Sequence, residues 1–219
     1  MASQGFDFEA VVRQDLPAPA GRWNGFPDFN FVGGHNAPES IPTDALIDAA
    51  TRVLQREGTT LATYSLESGP QGYRPLREFL AGKLGRDAGM SCAAEDVLLT
   101  SGSLQGLDLI NEVMLAPGDT VLIEEATYGG CLTRFQRLGV TPIGIKLDEQ
   151  GMRMDHLADT LAKLASEGKK PKFIYTIPTV QNPTASIMPL ERREQLLRLA
   201  EQYDVAVIED ECYSDLIWG

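Results

Sequence analysis

The 219-residue sequence predicts an α/β protein: a mostly parallel sheet with helices on its faces. Three observations carry that expectation. From residue 96 onward, short apolar segments alternate with longer ones whose apolar residues recur at helical spacing. The short segments are continuously apolar rather than alternating, as strands covered on both faces are. Gly118, Gly139 and Gly168 stand where the intervening helices should end.

Taken in order, residues 1–42 are rich in Gly and Pro (LPAPAGRWNGFPDFNFVGGHNAPESIP) and read as an extended arm without a periodic core face. PTDALIDAATRVLQREG follows, with Ala45, Leu46, Ala49, Ala50, Val53 and Leu54 at helical spacing, Thr43 or Asp44 as cap and Gly58 as stop. After the loop ESGPQGYRP, Leu76, Phe79, Leu80 and Leu84 mark a second helix. Strands are predicted at DVLLT, TVLIEE, VTPIGIK, KFIYTIP and VAVIED. Between them run helices carrying Leu104, Leu107, Ile110, Val113 and Met114, then Leu132, Phe135 and Leu138, then Leu157, Leu161 and Leu164, then Leu196, Leu197 and Leu199.

Composition narrows the function classes. A 43% hydrophobic, 23% charged chain can bury a core, and a net charge of −12 repels nucleic acid and anionic membrane surfaces. Three separated cysteines, Cys92, Cys131 and Cys212, fit neither a disulfide framework nor a zinc site and suit a reducing, cytoplasmic setting. No apolar run is long enough to cross a bilayer, and no export signal opens the sequence.

Ligands of open parallel sheets bind beyond the carboxyl ends of the strands, so the loops after each strand are where chemistry is expected. Ser101, Gly102 and Ser103 end one strand and open a helix, an arrangement that holds a phosphate or simply caps the helix. Tyr128 in ATYGG offers a flat surface for a stacked ring, or ordinary packing. Asn182, before Pro183, is a turn former or an amide donor to a phenolic oxygen. Glu209, Asp210 and Glu211 leave an apolar strand as three adjacent carboxylates, and at least one should turn inward and seek a cation. Magnesium ranks low as that cation, because no G-x-x-x-x-G-K-[ST] loop accompanies the acids. Tyr213 lies one turn after Asp210 if a helix begins there. His35, His156, the GKKPK linker, ERRE and Cys212 read as pocket edge, surface or packing residues. A phosphate cradle, an aromatic face, an amide, a phenol and a carboxylate together suit a phosphorylated aromatic heterocycle with a basic ring nitrogen.

In this order and spacing, YS...GYRPLR, TSGSLQGLDLI, ATYGG, QNPTA and EDECYSDL make the chain resemble the first half of a fold type I pyridoxal-phosphate aminotransferase, of the class I/II group that includes 2-aminoadipate and aromatic aminotransferases. The resemblance implies a three-layer α/β/α large domain at residues 43–219 behind an arm at 1–42, with two strands and the small C-terminal domain missing. It implies pyridoxal 5'-phosphate as cofactor, with Ser101, Gly102 and Ser103 at the phosphate, Tyr128 stacked on the ring, and Asn182 and Tyr213 at the phenolic oxygen. The Asp210 carboxylate would pair with the protonated ring nitrogen. Gly33 and Gly34 would let the substrate carboxylate approach, and Tyr64 would reach the phosphate of a neighbouring subunit, implying a homodimer. The implied reaction moves an amino group between an α-amino acid and a 2-oxo acid.

Departures from the family pattern fall at Leu104, where relatives often carry glutamine, at Ala185, where the Asn-Pro-Thr-Gly turn has glycine, and in a longer ESGPQGYRP loop. No catalytic residue is assigned: the family's Schiff-base lysine sits in a Ser-x-Ser-Lys segment after the next strand, and Lys83, Lys146, Lys163, Lys169, Lys170 and Lys172 match none. The expectation is therefore an incomplete frame or fragment of a normal enzyme, poorly stable and inactive alone, with the DVLLT strand stripped of its neighbours. Two alternatives stand beside it: the effector-binding domain of a transcription regulator, and a non-catalytic fragment that pairs with a full-length subunit.

Overall fold

The computed structural model describes residue 7 and residues 9–12, 24–29, 34–64 and 66–217, which fall into two units meeting between Leu61 and Ala62. In the first unit the only α-helix among the described residues is α1 (Thr43–Glu57), closed by the Gly58 amide on the Leu54 carbonyl. Leu46, Val53 and Leu54, expected at helical spacing, are exposed, as is Ile47 beside them. Phe26 meets His35 edge-on at 5.2 Å.

Among its described residues the second unit holds five α-helices: α2 (Arg74–Ala88), α3 (Ser103–Met114), α4 (Gly129–Leu138), α5 (Met154–Ser166) and α6 (Leu190–Tyr203). Strands β1 (Thr120–Glu124), β2 (Thr141–Ile145), β5 (Phe173–Thr176) and β6 (Ala206–Glu209) form one parallel sheet in the order β2-β1-β5-β6. Because side chains alternate along a strand, β1, β5 and β6 feed two cores, and the edge strand β2 feeds one. Leu122, Ile145 and Ile174 join the α5 and α6 residues Leu157, Leu161, Leu164 and Leu196 on one face. Val121, Ile123, Phe173 and Tyr175 join Leu107, Cys131 and Phe135 of α3 and α4 on the other. The result is a three-layer α/β/α body in which the central strands β1 and β5 are covered on both faces, as continuously apolar strands are, while the edge strands β2 and β6 are partly exposed.

Two details depart from the sequence expectation. A short antiparallel pair, β3 (Leu147–Asp148) with β4 (Gly151–Met152), follows β2, where the apolar pattern predicts a single strand and then a helix. In DVLLT, Asp96 closes a 3-10 turn, Val97 is extended, and none of the five residues belongs to a sheet among the described residues. The Leu99 amide bonds instead to the Gln71 carbonyl at 2.9 Å. A ladder needs a neighbouring strand, and apolar composition alone does not supply one. Gly72, at φ +97°, comes so near that an added Cβ would lie 2.9 Å from Leu99, so this contact requires glycine. The loop is anchored by Arg77, which is 2% exposed and donates to the carbonyls of Gly72, Ala94 and Ser68 at 3.0, 2.7 and 2.7 Å.

Candidate functional site

The carboxyl ends of β1, β5 and β6 and the start of α3 carry the predicted site residues of the second unit, apart from Tyr64. At the end of β6 the three carboxylates separate. Glu209 is exposed; Glu211 accepts from Thr179 Oγ1 at 2.9 Å and faces Arg193 at 3.4 Å. Asp210 is half-buried: its amide donates to the Thr176 carbonyl at 2.9 Å, and its Oδ2 accepts from the Tyr175 hydroxyl at 2.7 Å. The cation sought by the acid triplet thus goes to Glu211. Among the described residues Asp210 has no ion-pair partner; the Tyr175 phenol that holds it is neutral.

The charge of Asp210 is felt by everything around it. Burial first, and then Asp210, push the Tyr175 phenol well above its ordinary range. Burial and then Asp210 raise the Cys131 thiol to about 11, and the same two causes raise Cys212. Tyr213 is raised by burial and by Cys212, while the neighbouring Asn182 amide pulls it back. Asn182 and Asp210 thus both act on the Tyr213 phenol, although Asn182 comes from a different loop far away in the chain. No α-helix starts at Asp210; a single 3-10 turn, Ser214–Leu216, follows Tyr213.

Tyr128 precedes α4, and its ring folds back over Gly130. A Cβ at Gly130 would overlap the edge of that ring. Tyr128, Tyr213 and Leu104 of the first turn of α3 pack on the same core cluster, which draws the α3 start, the ring and the phenol to one face.

At the start of α3, Gly102 has φ +84°, and no atom lies within 4 Å of where a Cβ would be. The simple capping reading fails here, because no side chain caps this helix. Gln105 reaches back instead to the Ser101 amide at 2.5 Å. The amides of Ser103 and Leu104 and both serine hydroxyls make no hydrogen bond among the described residues. Free first-turn amides, an open glycine and uncommitted hydroxyls are the donor set that an anion requires.

Tyr64 is 95% exposed, with φ 55°. Gly34 lies in the first unit at φ +52° with open space around it, and Gly33 lies outside the described residues. No His/Cys/Asp/Glu cluster able to hold a metal is present among the described residues. No helix among them is long and apolar enough to cross a membrane. A groove of about 760 Å³ lined by Thr120, Thr141, His156 and Lys163 lies at the opposite strand ends and contains none of the predicted residues.

Sequence reasoning missed three buried polar groups in this region. Glu124 at the end of β1 is fully buried, Gln181 is 2% exposed, and Tyr175 is fully buried. The one available signal was polar residues interrupting apolar runs, Glu124 in TVLIEE and Tyr175 in KFIYTIP.

Comparison with known proteins gives a consistent picture. The family model for aminotransferase class I and II matches residues 34–219. Aromatic-amino-acid aminotransferase 1 of Thermococcus litoralis is 37% identical over 187 residues, which cover 85% of this chain and 44% of that protein. Two crystal structures superpose with a TM-score of 0.73 each. One is the Pyrococcus horikoshii kynurenine aminotransferase in complex with PMP (39% identical, 81% of this chain and 43% of that one). The other is the α-aminoadipate aminotransferase LysN of Thermus thermophilus, complexed with N-(5'-phosphopyridoxyl)-L-leucine (35% identical, 83% and 43%). The chain spans about half the length of the relatives it matches.

Proposed function

As the chain belongs to the class I and II aminotransferases, we propose that it supplies the pyridoxal-phosphate-gripping half of an enzyme that moves an amino group between an α-amino acid and a 2-oxo acid. One observation carries the cofactor reading furthest: Asp210 is a half-buried anion held by Tyr175 and left without a cation. A protonated pyridine nitrogen is the cation that would complete it in a charge-assisted hydrogen bond. Bound pyridoxal phosphate supplies the electron sink for the chemistry at the amino acid's α-carbon.

The chain's own residues then divide the work. The free amides of Ser103 and Leu104, the open Gly102 and the hydroxyls of Ser101 and Ser103 would hold the phosphate at the positive end of α3. Tyr128 would cover one face of the ring, and Asn182 and Tyr213 would donate to its phenolic oxygen. Asp210 would keep a proton on the ring nitrogen. Tyr64, exposed and held at positive φ, would reach the phosphate of a second copy in a homodimer, and Gly33 and Gly34 would admit the substrate carboxylate. Residues 1–42 would be an arm and residues 43–219 the cofactor-binding large domain.

The substrates named for the relatives above suggest aromatic amino acids or 2-aminoadipate as donors. The test joins this chain to the C-terminal half of the Thermus thermophilus relative and assays those donors with 2-oxoglutarate. Turnover that depends on pyridoxal phosphate, and falls at least about 100-fold in Asp210→Ala, is expected on the scale of removing one preorganised electrostatic group. A chimera that binds the cofactor but transfers no amino group, or full turnover in Asp210→Ala, contradicts the proposal.

A further inference from the structure

Glu124 and Gln181 form a buried polar knot between the loop that leads to Tyr128 and the loop that carries Asn182. Glu124 accepts from Thr176 Oγ1 at 2.6 Å, from Gln181 Nε2 at 2.9 Å and from the Ile177 amide at 3.3 Å. Gln181 Nε2 also donates to the Ala126 carbonyl at 2.7 Å, two residues before Tyr128. On its other side, Gln181 Oε1 accepts from the Thr184 amide at 2.8 Å and from Thr184 Oγ1 at 2.7 Å. The Gln181 main chain closes the loop on itself, donating to the Ser186 carbonyl at 2.9 Å and accepting from the Ala185 amide at 2.6 Å.

The knot has a direction. A carbonyl cannot donate and an amide N–H cannot accept, so Ala126 and Thr184 fix which end of the Gln181 side chain is nitrogen. That nitrogen then needs an acceptor at position 124. The loop it holds is strained: Val180 and Ala185 flank it at φ 52° and 58°, a region that branched and β-carbon-bearing side chains avoid. Such a conformation persists only where its surroundings over-determine it, and the knot is what does so here. Glu124 has only neutral donors around it, and burial raises its pKa, so the chain tolerates an expensive acid at this point.

We propose that Glu124 and Gln181 are positioning residues that set the spacing between Tyr128 and Asn182, and with it the slot for the cofactor ring. The inference rests on the cofactor reading above. It assigns the slot to two side chains that touch neither ring nor phosphate.

The test titrates the full chain and its variants with pyridoxal phosphate by equilibrium dialysis, and records the induced circular dichroism of the bound ring. Gln181→Glu aims an acceptor at both Glu124 and Ala126; affinity is expected to fall at least about tenfold and the induced signal to change. Glu124→Gln needs only the Thr176 hydroxyl to turn, and should stay within about threefold of the parent. The double variant Glu124→Gln/Gln181→Glu restores a donor between the two positions while the Ala126 carbonyl still faces an acceptor, so it should recover part of the loss and move the signal back toward the parent, a rescue that general destabilisation would not give. Should Gln181→Glu not fold, Gln181→Met keeps the length, removes the polar ends and carries the same expected loss. Parental affinity and signal in the Gln181 variants overturn the inference and leave the cofactor reading standing. A parent chain that binds no pyridoxal phosphate overturns both.

Discussion

The hydroxyl of Tyr175 on β5 donates to Asp210 Oδ2 at 2.7 Å, just beyond the end of the neighbouring strand β6, and Tyr175 itself is fully buried. Parallel pairing of Tyr175 with Ile208 and of Thr176 with Glu209 brings the two chain segments to this distance. One carboxylate oxygen is thereby fixed, and the other is left for a cation. Tyr175→Phe removes one oxygen and keeps the packing. A hydrogen bond to a charged group contributes about 1.5–3 kcal/mol, and partial exposure of Asp210 lowers that, so a loss of about 1–2 kcal/mol is expected in urea unfolding. Cofactor affinity should fall as well, since the aspartate is freed to rotate. Unchanged stability together with unchanged affinity would show that the phenol holds nothing.

Gly130→Ala sets two effects against each other. Alanine favours a helix by about 1 kcal/mol over glycine. The new Cβ would overlap the edge of the Tyr128 ring, whose free end can swing away. Thermal stability should therefore hold or rise slightly while pyridoxal-phosphate binding weakens several-fold, because the displaced ring no longer offers its face. Loss of stability with intact binding would contradict this placement of Tyr128.

Ala185 occupies a left-handed position at φ 58° where the family turn has glycine. Left-handed backbone costs a β-carbon-bearing residue about 1–2 kcal/mol, while glycine in the unfolded chain loses about 0.4–1 kcal/mol of that advantage. Ala185→Gly should thus stabilise by up to about 1 kcal/mol in chemical denaturation, and Ala185→Val should destabilise by at least as much. A destabilised glycine variant would mean the turn is not strained.

Glu124 gives a pH signature. Burial raises its folded pKa above the ordinary glutamate value, so the folded state binds the proton more tightly than the unfolded one. Its stabilising contribution is complete below the unfolded pKa and is lost as pH rises through the folded pKa. Stability of the parent relative to Glu124→Gln should accordingly decline from about pH 4.5 upward. Urea unfolding of both proteins at about pH 5 and about pH 8 measures it; an equal gap at the two values refutes the raised pKa.

Most of the scaffold was legible because its causes are local. Apolar residues at helical spacing in 154–166 and 190–203 bury Leu157, Leu161, Leu164 and Leu196, and the unbroken apolar strands β1 and β5 lie between two helical layers. DVLLT misled because strand composition describes covering, whereas a ladder depends on a neighbour. The residues proposed to touch the cofactor were reached through motif order, and of these Asn182 and Asp210 both act on the Tyr213 phenol. The groups behind them were not legible. Glu124, Gln181 and Tyr175 act through partners 35 to 57 positions away, and no spacing rule in one sequence announces such a pairing. Arg77 shows the same dependence on distant partners: arginine is ordinarily an exposed residue, and here it is buried because three carbonyls converge on it.

The most direct measurement is the crystal structure of the chain soaked with pyridoxal phosphate. The account predicts the phosphate on the amides at the start of α3 beside Ser101, Gly102 and Ser103, and the ring nitrogen within hydrogen-bonding distance of the Asp210 carboxylate. A cofactor bound elsewhere, or Asp210 turned away from the ring into solvent, would contradict it.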